Sequence, residues 1–181
     1  EPSPVAWRYL NETLHLNRLE SRCRTFQLAL GAAASRLPWF ENPHSPAASH
    51  LAGDASLREG AGTVEVTTLD AFLDSHPTDR IDLIKIDVEG YDFDVIEGAS
   101  AAIGRFRPLV FVEFNSYTMI AHRNRNPRNA LTFLLDRFAQ VFWFRDGAPK
   151  RIESGADILD FLHSNLIQRG CVDDLLCVSE A

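Results

Sequence analysis

The sequence predicts an α/β domain built on a mainly parallel sheet, and three observations carry that reading. Apolar runs of strand length alternate with stretches of helical period along almost the whole chain. The run "IDLIKIDV" at 81–88 is nearly continuous in apolar residues around Lys85, as a strand covered on both faces should be. A second such run, "PLVFVEF" at 108–114, opens on Pro108, where a missing N–H is tolerated.

The bulk properties bound the rest. A chain of 181 residues holds one domain with a sizeable core rather than two. A net charge of −7 argues against a nucleic-acid partner held through its phosphates. The three cysteines, Cys23, Cys171 and Cys177, are odd in number and lack CxxC spacing. They read as reduced thiols of a cytoplasmic protein, not as a disulfide scaffold or a zinc site. No apolar run approaches the roughly eighteen residues a membrane helix needs.

Along the chain, Ser3 and Pro4 read as N-cap and first residue of a helix over 4–18. That helix opens so early that the numbering enters at a strand-to-helix loop, and the chain reads as a piece of a longer one. "RTFQLALG" is a short strand ended by Gly31, whereas 32–62 shows no period and reads as a long loop. "TVEVTT" is a strand, and "LDAFLDSH" a short helix stopped by Pro77. Residues 91–106 repeat apolar side chains at Phe93, Ile96, Ala99, Ala102 and Ile103, the spacing of one helix. A helix from Pro127, the strand "QVFWFRD", the helix "GADILDFLHSN" and the strand "DLLCVSE" complete the order.

In an open parallel sheet, ligands bind beyond the carboxyl ends of the strands. Asp87 with Glu89, Glu113 and Glu1 all fall at such ends. On spacing alone two readings stand: carboxylates facing a ligand, or acids favoured at a helix start by the macrodipole. The second suits Asp92 and Asp94 best. Gly60-Ala61-Gly62 precedes a strand rather than following one, so it is no dinucleotide fingerprint.

"DLIKIDVEGYDFDVIEGA" followed by "RPLVFVEF" resembles the FkbM family of S-adenosylmethionine-dependent methyltransferases. The matching pieces are Ile84 to Gly90, Asp92 (where the family more often has Glu), Val95 to Ala99, Arg107-Pro108 and Glu113. "EPSP", "LNETLHLN", "LALG" and "VEVTTLDAFL" match further segments, so the resemblance covers most of the chain. It implies a Rossmann-like class I methyltransferase fold, a mainly parallel sheet with an antiparallel strand near the C-terminus. It also implies that residues 1–181 form one methyltransferase domain truncated before the end of its second strand, without the first strand and its glycine-rich turn.

The implied cofactor is S-adenosylmethionine, and the implied chemistry is methyl transfer to a hydroxyl of a small molecule or glycan. Glu1 is then placed to accept hydrogen bonds from the ribose hydroxyls, with Leu30 and Gly31 near the adenine. Asp87 emerges where the methionine end and the acceptor meet, as cofactor ligand, orienting group or base, and Glu89 is a second candidate base. In the long loop, His50 is a candidate catalytic group and His44 a lesser one, although a loop His is more often merely solvated. Trp39 and Phe40 read as an apolar wall for the acceptor or as an anchor of the loop to the core. Glu113 lies on the acceptor side, and on the same rim His122, Arg123 and Arg125 read as a solvated basic loop in preference to contacts for an acidic or polyol acceptor. A divalent cation on the paired carboxylates is possible but not favoured. The rivals are a nucleotide-cofactor oxidoreductase of NAD type and an inactive domain that kept the fold.

Overall fold

The structure is a computed structural model, and it describes residues 1–40, 42, 49–51, 62–145 and 147–180. Helix α1 (Pro4–Leu16) opens as expected, with the Ser3 hydroxyl accepting the Ala6 N–H at 3.1 Å and Pro4 in the first turn. Four strands follow around one helix: β1 (Ala29–Leu30), β2 (Ser35–Phe40), β3 (His50–Leu51), β4 (Gly62–Thr67) and α2 (Leu69–Ser75). Next come β5 (Leu83–Ile86), α3 (Asp92–Glu97), α4 (Ser100–Phe106), β6 (Leu109–Asn115) and α5 (Ser116–Arg123). The chain closes with α6 (Pro127–Arg137), β7 (Gln140–Arg145), β8 (Ala148–Arg151), α7 (Gly155–His163) running into a π-helical turn (Ser164–Gln168), and β9 (Val172–Val178).

The strands form two mixed sheets, ordered β1-β4-β2-β3 and β5-β6-β9-β7-β8, instead of one mainly parallel sheet. Among the described residues parallel pairing is confined to β1 with β4 and β5 with β6. The expected antiparallel pair near the C-terminus is present, since β9 runs antiparallel to both β6 and β7. Two things break the parallel pattern. Strand β2 folds back antiparallel onto β4, and among the described residues no strand pairs with the outer edge of β5.

Strand β2 also corrects the reading of 32–62 as a featureless loop. Pro38 argues against a strand from sequence, yet it pairs in register with Thr63 of β4. The single helix expected over 91–106 is two helices, α3 and α4, broken at Gly98 and Ala99. Helix α5 and strand β8 lie where no element was expected.

The main core lies on one face of the five-stranded sheet. Ile86, Val110, Val112, Phe114, Val141, Trp143, Leu175 and Cys177 pack there against Phe93, Ile96, Met119, Leu131, Leu134 and Phe161 of the covering helices. Because strand side chains alternate, Leu83, Lys85, Leu109 and Phe111 fall on the other face, where Leu83 and Leu109 are exposed. All three cysteines are free, Cys177 in the core and Cys171 partly buried. Among the described residues no helix is long and apolar enough to cross a membrane.

The break at Gly98 joins the two sheets. A Cβ on Gly98 would collide with the Gly31 carbonyl oxygen, and the Gly98 carbonyl accepts the Asp70 N–H at 3.0 Å. The Asp70 carboxylate in turn accepts the N–H groups of Ala101 (3.0 Å) and Ala102 (2.8 Å), capping α4 from α2. No rotamer relieves a clash made by Cβ itself, so the backbone must move. Gly98→Ala is expected to lose about 3 kcal/mol or more, read as a lower urea midpoint at unchanged slope. A midpoint equal to wild type would show that this packing is looser than described.

Candidate active site

The carboxyl ends of β5 and β6 gather acidic side chains, and the turn between β5 and α3 arranges them. Glu89 and Gly90 both adopt positive φ, 54° and 97°. For Glu89 this is the left-handed region that residues with a Cβ seldom enter. Asp92, fully buried, holds the turn: its Oδ1 accepts the Val88 N–H and its Oδ2 the Gly90 N–H, each at 3.1 Å. Asp92 therefore works backward on the turn in addition to any dipole effect on α3. A Cβ on Gly90 would meet the Thr118 carbonyl oxygen at 2.9 Å, so the turn rests directly on α5. His122 Nδ1 lies 3.2 Å from the Glu89 carbonyl oxygen and ties the same two elements.

Asp87 is half-exposed, with Oδ2 at 3.3 Å from Lys85 Nζ. The same ammonium reaches Asp174 Oδ1 on β9 at 3.3 Å and lies 5.3 Å from the centre of the Phe111 ring. Desolvation disfavours that ammonium, but Asp87 and Asp174 outweigh it and raise the Lys85 pKa. Glu89 is pushed up by burial and then by Asp87, against a smaller opposing effect of His122. Burial raises Asp92 to about 6 against the three backbone hydrogen bonds that favour its anion.

Glu113 is partly buried, and the register Ile86↔Val112 puts it beside Asp87 on the neighbouring strand. Burial raises its pKa to about 7, with Asp87, Asp92 and Glu89 adding in the same direction and a hydrogen bond from Asn115 opposing. Asn115 has two duties, donating to Glu113 Oε2 at 3.4 Å and accepting the Thr118 N–H at 3.2 Å as the cap of α5. Beneath it lies a buried polar network in which Ser116 Oγ donates to Asn165 Oδ1 at 2.5 Å. Asn165 Nδ2 donates to Asp173 Oδ2 at 2.9 Å and to the Phe114 carbonyl at 3.3 Å.

Of the residues expected at a site, Asp87, Glu89 and Glu113 come together. Glu1 has its carboxylate on the Ser3 N–H at 2.7 Å. Trp39 lines a separate cavity of about 330 Å³ with Pro2, Pro4, Gln27 and Leu28. Gly31 is buried, donating to the Thr67 carbonyl at 2.9 Å, and Leu30 packs beside the main core. The backbone of His50 pairs with Phe40, and His44 lies outside the described residues. Arg123 and Arg125 are not a solvated loop. Arg123 donates to Asp94 Oδ1 at 2.6 Å and stacks over Tyr91 at 4.1 Å, while Arg125 reaches Asp94 Oδ2 at 3.5 Å. Sequence reading passed over Lys85, although the i, i+2 spacing to Asp87 places both on one strand face; nothing local signals Asp174. Among the described residues no group of three or more His, Cys, Asp or Glu is arranged to hold a metal ion. A cavity of about 490 Å³ bordered by Arg107 and Ser179 lies at the opposite ends of these strands.

Residues 1–165 match the family described as the methyltransferase FkbM domain. The chain is similar to the crystal structure of methyltransferase FkbM from Methylobacillus flagellatus KT, with a TM-score of 0.54 and 14% sequence identity. That likeness covers 98% of this chain and 35% of the other, so the chain spans about a third of that protein's length. At such identity the likeness speaks to fold alone. No curated protein matches the sequence.

The raised Glu113 has a consequence for stability. Its proton is held more tightly in the folded state, so the stability it lends is complete below the ordinary Glu value of 4.5 and lost as pH rises through about 7. Glu113→Gln cannot ionise. Relative to wild type, its melting temperature is expected to be about 2–4 °C higher at pH 8, the equivalent of about 1 kcal/mol, than the relative value at pH 4.5. Parallel melting curves for the two proteins across that range would show Glu113 unperturbed.

Proposed function

Because the chain belongs to the FkbM methyltransferase domain family, we propose that it transfers a methyl group from S-adenosylmethionine to a hydroxyl of a small molecule or glycan. The observation that carries this reading is the meeting of Asp87, Glu89 and Glu113 at the carboxyl ends of two parallel strands, around a turn that Gly90 and Asp92 hold open. Carboxylates suit both parties: they accept hydrogen bonds from hydroxyls and attract an ammonium or a sulfonium. S-adenosylmethionine, when bound, supplies an electrophilic methyl carbon.

This chain's own residues then have three tasks. Asp87 holds a cationic group or orients the acceptor hydroxyl at the middle of the site. Glu1, just before α1, is assigned to accept from the ribose hydroxyls, its Oε1 also accepting the Ser3 N–H at 2.7 Å. Glu113, Glu89 and the edge of α5 border the acceptor. Each contributes by position, since methyl displacement needs an oxygen held in line and relieved of its proton.

Asp87→Asn keeps the side chain's shape and removes its charge. With folding verified by circular dichroism, label transfer from S-adenosylmethionine is expected to fall about a hundredfold or more. Turnover near wild type would remove Asp87 from the mechanism. Glu1→Gln leaves one acceptor oxygen where two are needed, and cofactor binding is expected to weaken by about 1.5–3 kcal/mol. Calorimetry showing equal affinity would leave Glu1 only its contact with Ser3.

A further inference from the structure

Asp87 and Glu113 stand side by side on adjacent strands, yet they are held differently. Lys85 and Asp87 share the face of β5 that points away from the core, and the Lys85 ammonium lies against Asp87 Oδ2 at 3.3 Å. It also bridges across to Asp174 at 3.3 Å, and the register Glu113↔Asp174 brings β9 alongside. The positive charge of the cluster is therefore committed to Asp87 and Asp174. What Glu113 receives is a neutral amide, Asn115 Nδ2, at 3.4 Å on one oxygen. Around it are the carboxylates of Asp87, Glu89 and Asp92, with Asp174 on β9, Lys85 on β5 and His122 on α5 as the other ionisable groups of the rim.

We propose that these two carboxylates divide the work, Glu113 being the base that takes the acceptor's hydroxyl proton and Asp87 the anion fixed by Lys85. The proposal rests on the methyl-transfer reading and assigns roles within it. Asp87 Oδ2 is occupied by the Lys85 ammonium, whereas Glu113, offered a neutral amide, crowded by like charges and partly withdrawn from water, gains from accepting a proton. In the step itself the O–H bond breaks and its proton passes to Glu113. The oxygen's electron pair forms the new C–O bond, and the C–S bond breaks with its pair going to sulfur, which leaves the sulfonium as a neutral thioether. The pKa of about 7 supports the assignment, because a base works best when its own pKa lies near the working pH. Lys85 is a positioning residue in this scheme, acting through Asp87.

The test uses the full chain with S-adenosylmethionine and three hydroxyl probes: glycerol, methyl glucoside and phenol. Carbon-13 NMR of labelled Glu carboxyls is expected to show one resonance titrating near neutral pH in wild type and absent from Glu113→Gln. That variant should bind the cofactor within about twofold of wild type by calorimetry and lose methyl transfer about a hundredfold, with partial recovery in Glu113→Asp. Asp87→Asn should instead weaken cofactor binding and leave the Glu113 resonance in place, shifted toward lower pH. A wild-type chain that binds no cofactor, or methylates none of the probes, defeats the methyl-transfer reading and the base with it. Wild-type transfer that survives in Glu113→Gln, or a Glu113 carboxyl ionised throughout about pH 5–9, overturns the base alone.

Discussion

One buried carboxylate sets the geometry on which the site depends. Asp92 is wholly inside the protein and spends both oxygens on backbone N–H groups, those of Val88 and Gly90. Those bonds fold the chain sharply after β5, which throws Asp87 and Glu89 outward at the rim instead of letting the strand run on. A buried carboxylate without such partners would cost several kcal/mol. With them it offsets the left-handed conformation of Glu89, a strain of about 1–3 kcal/mol. Gly90 completes the device, because only a residue without Cβ lets the turn lie on the Thr118 carbonyl.

From that turn, order spreads through α5 to β6 and β9. Asn115 caps α5 and touches Glu113, so the end of β6 and the start of the helix are set by one side chain. Ser116, Asn165 and Asp173 then bind the β6 exit to the π-helical turn and to β9, and Arg169 closes the network on Asp173 at 2.6 Å. Buried polar groups held this fully rigidify what they join. On the other flank, Asp94 fixes Arg123 and Arg125, which carries α5 and its following loop against α3. The rim is thus built on helices and strands packed from below, as a site needs if its groups are to hold position.

Electrostatically the site is a crowd of like charges with one cation placed off centre. Lys85 serves Asp87 and Asp174, whereas Glu89, Asp92 and Glu113 all have raised proton affinity. A protein concerned only with stability would have no reason to keep such an arrangement, since each raised carboxylate weakens the fold as it ionises. That cost is consistent with a region shaped for binding and chemistry.

The sequence by itself determined most of the elements and the strand ends at which the candidate site residues gather. Helix α1 announced itself through Ser3 and Pro4, α6 through Pro127, and β5 and β6 through apolar runs whose ends carry Asp87 and Glu113; these signals are local, written in neighbours a few residues apart. Only the tertiary structure decided the rest. Strand β2 depends on β4, a partner 23 to 31 residues away in the chain, with which Pro38 pairs despite its missing N–H. The break between α3 and α4 must carry a glycine because the Gly31 carbonyl fills the space a side chain would need at Gly98. Arg123 and Arg125 looked solvated until folding brought them to Asp94, and Lys85 acquired Asp174 from a strand 89 residues on. Contacts of that range leave no trace in local period or composition, because what selects them is the three-dimensional match of charge, shape and hydrogen bonds.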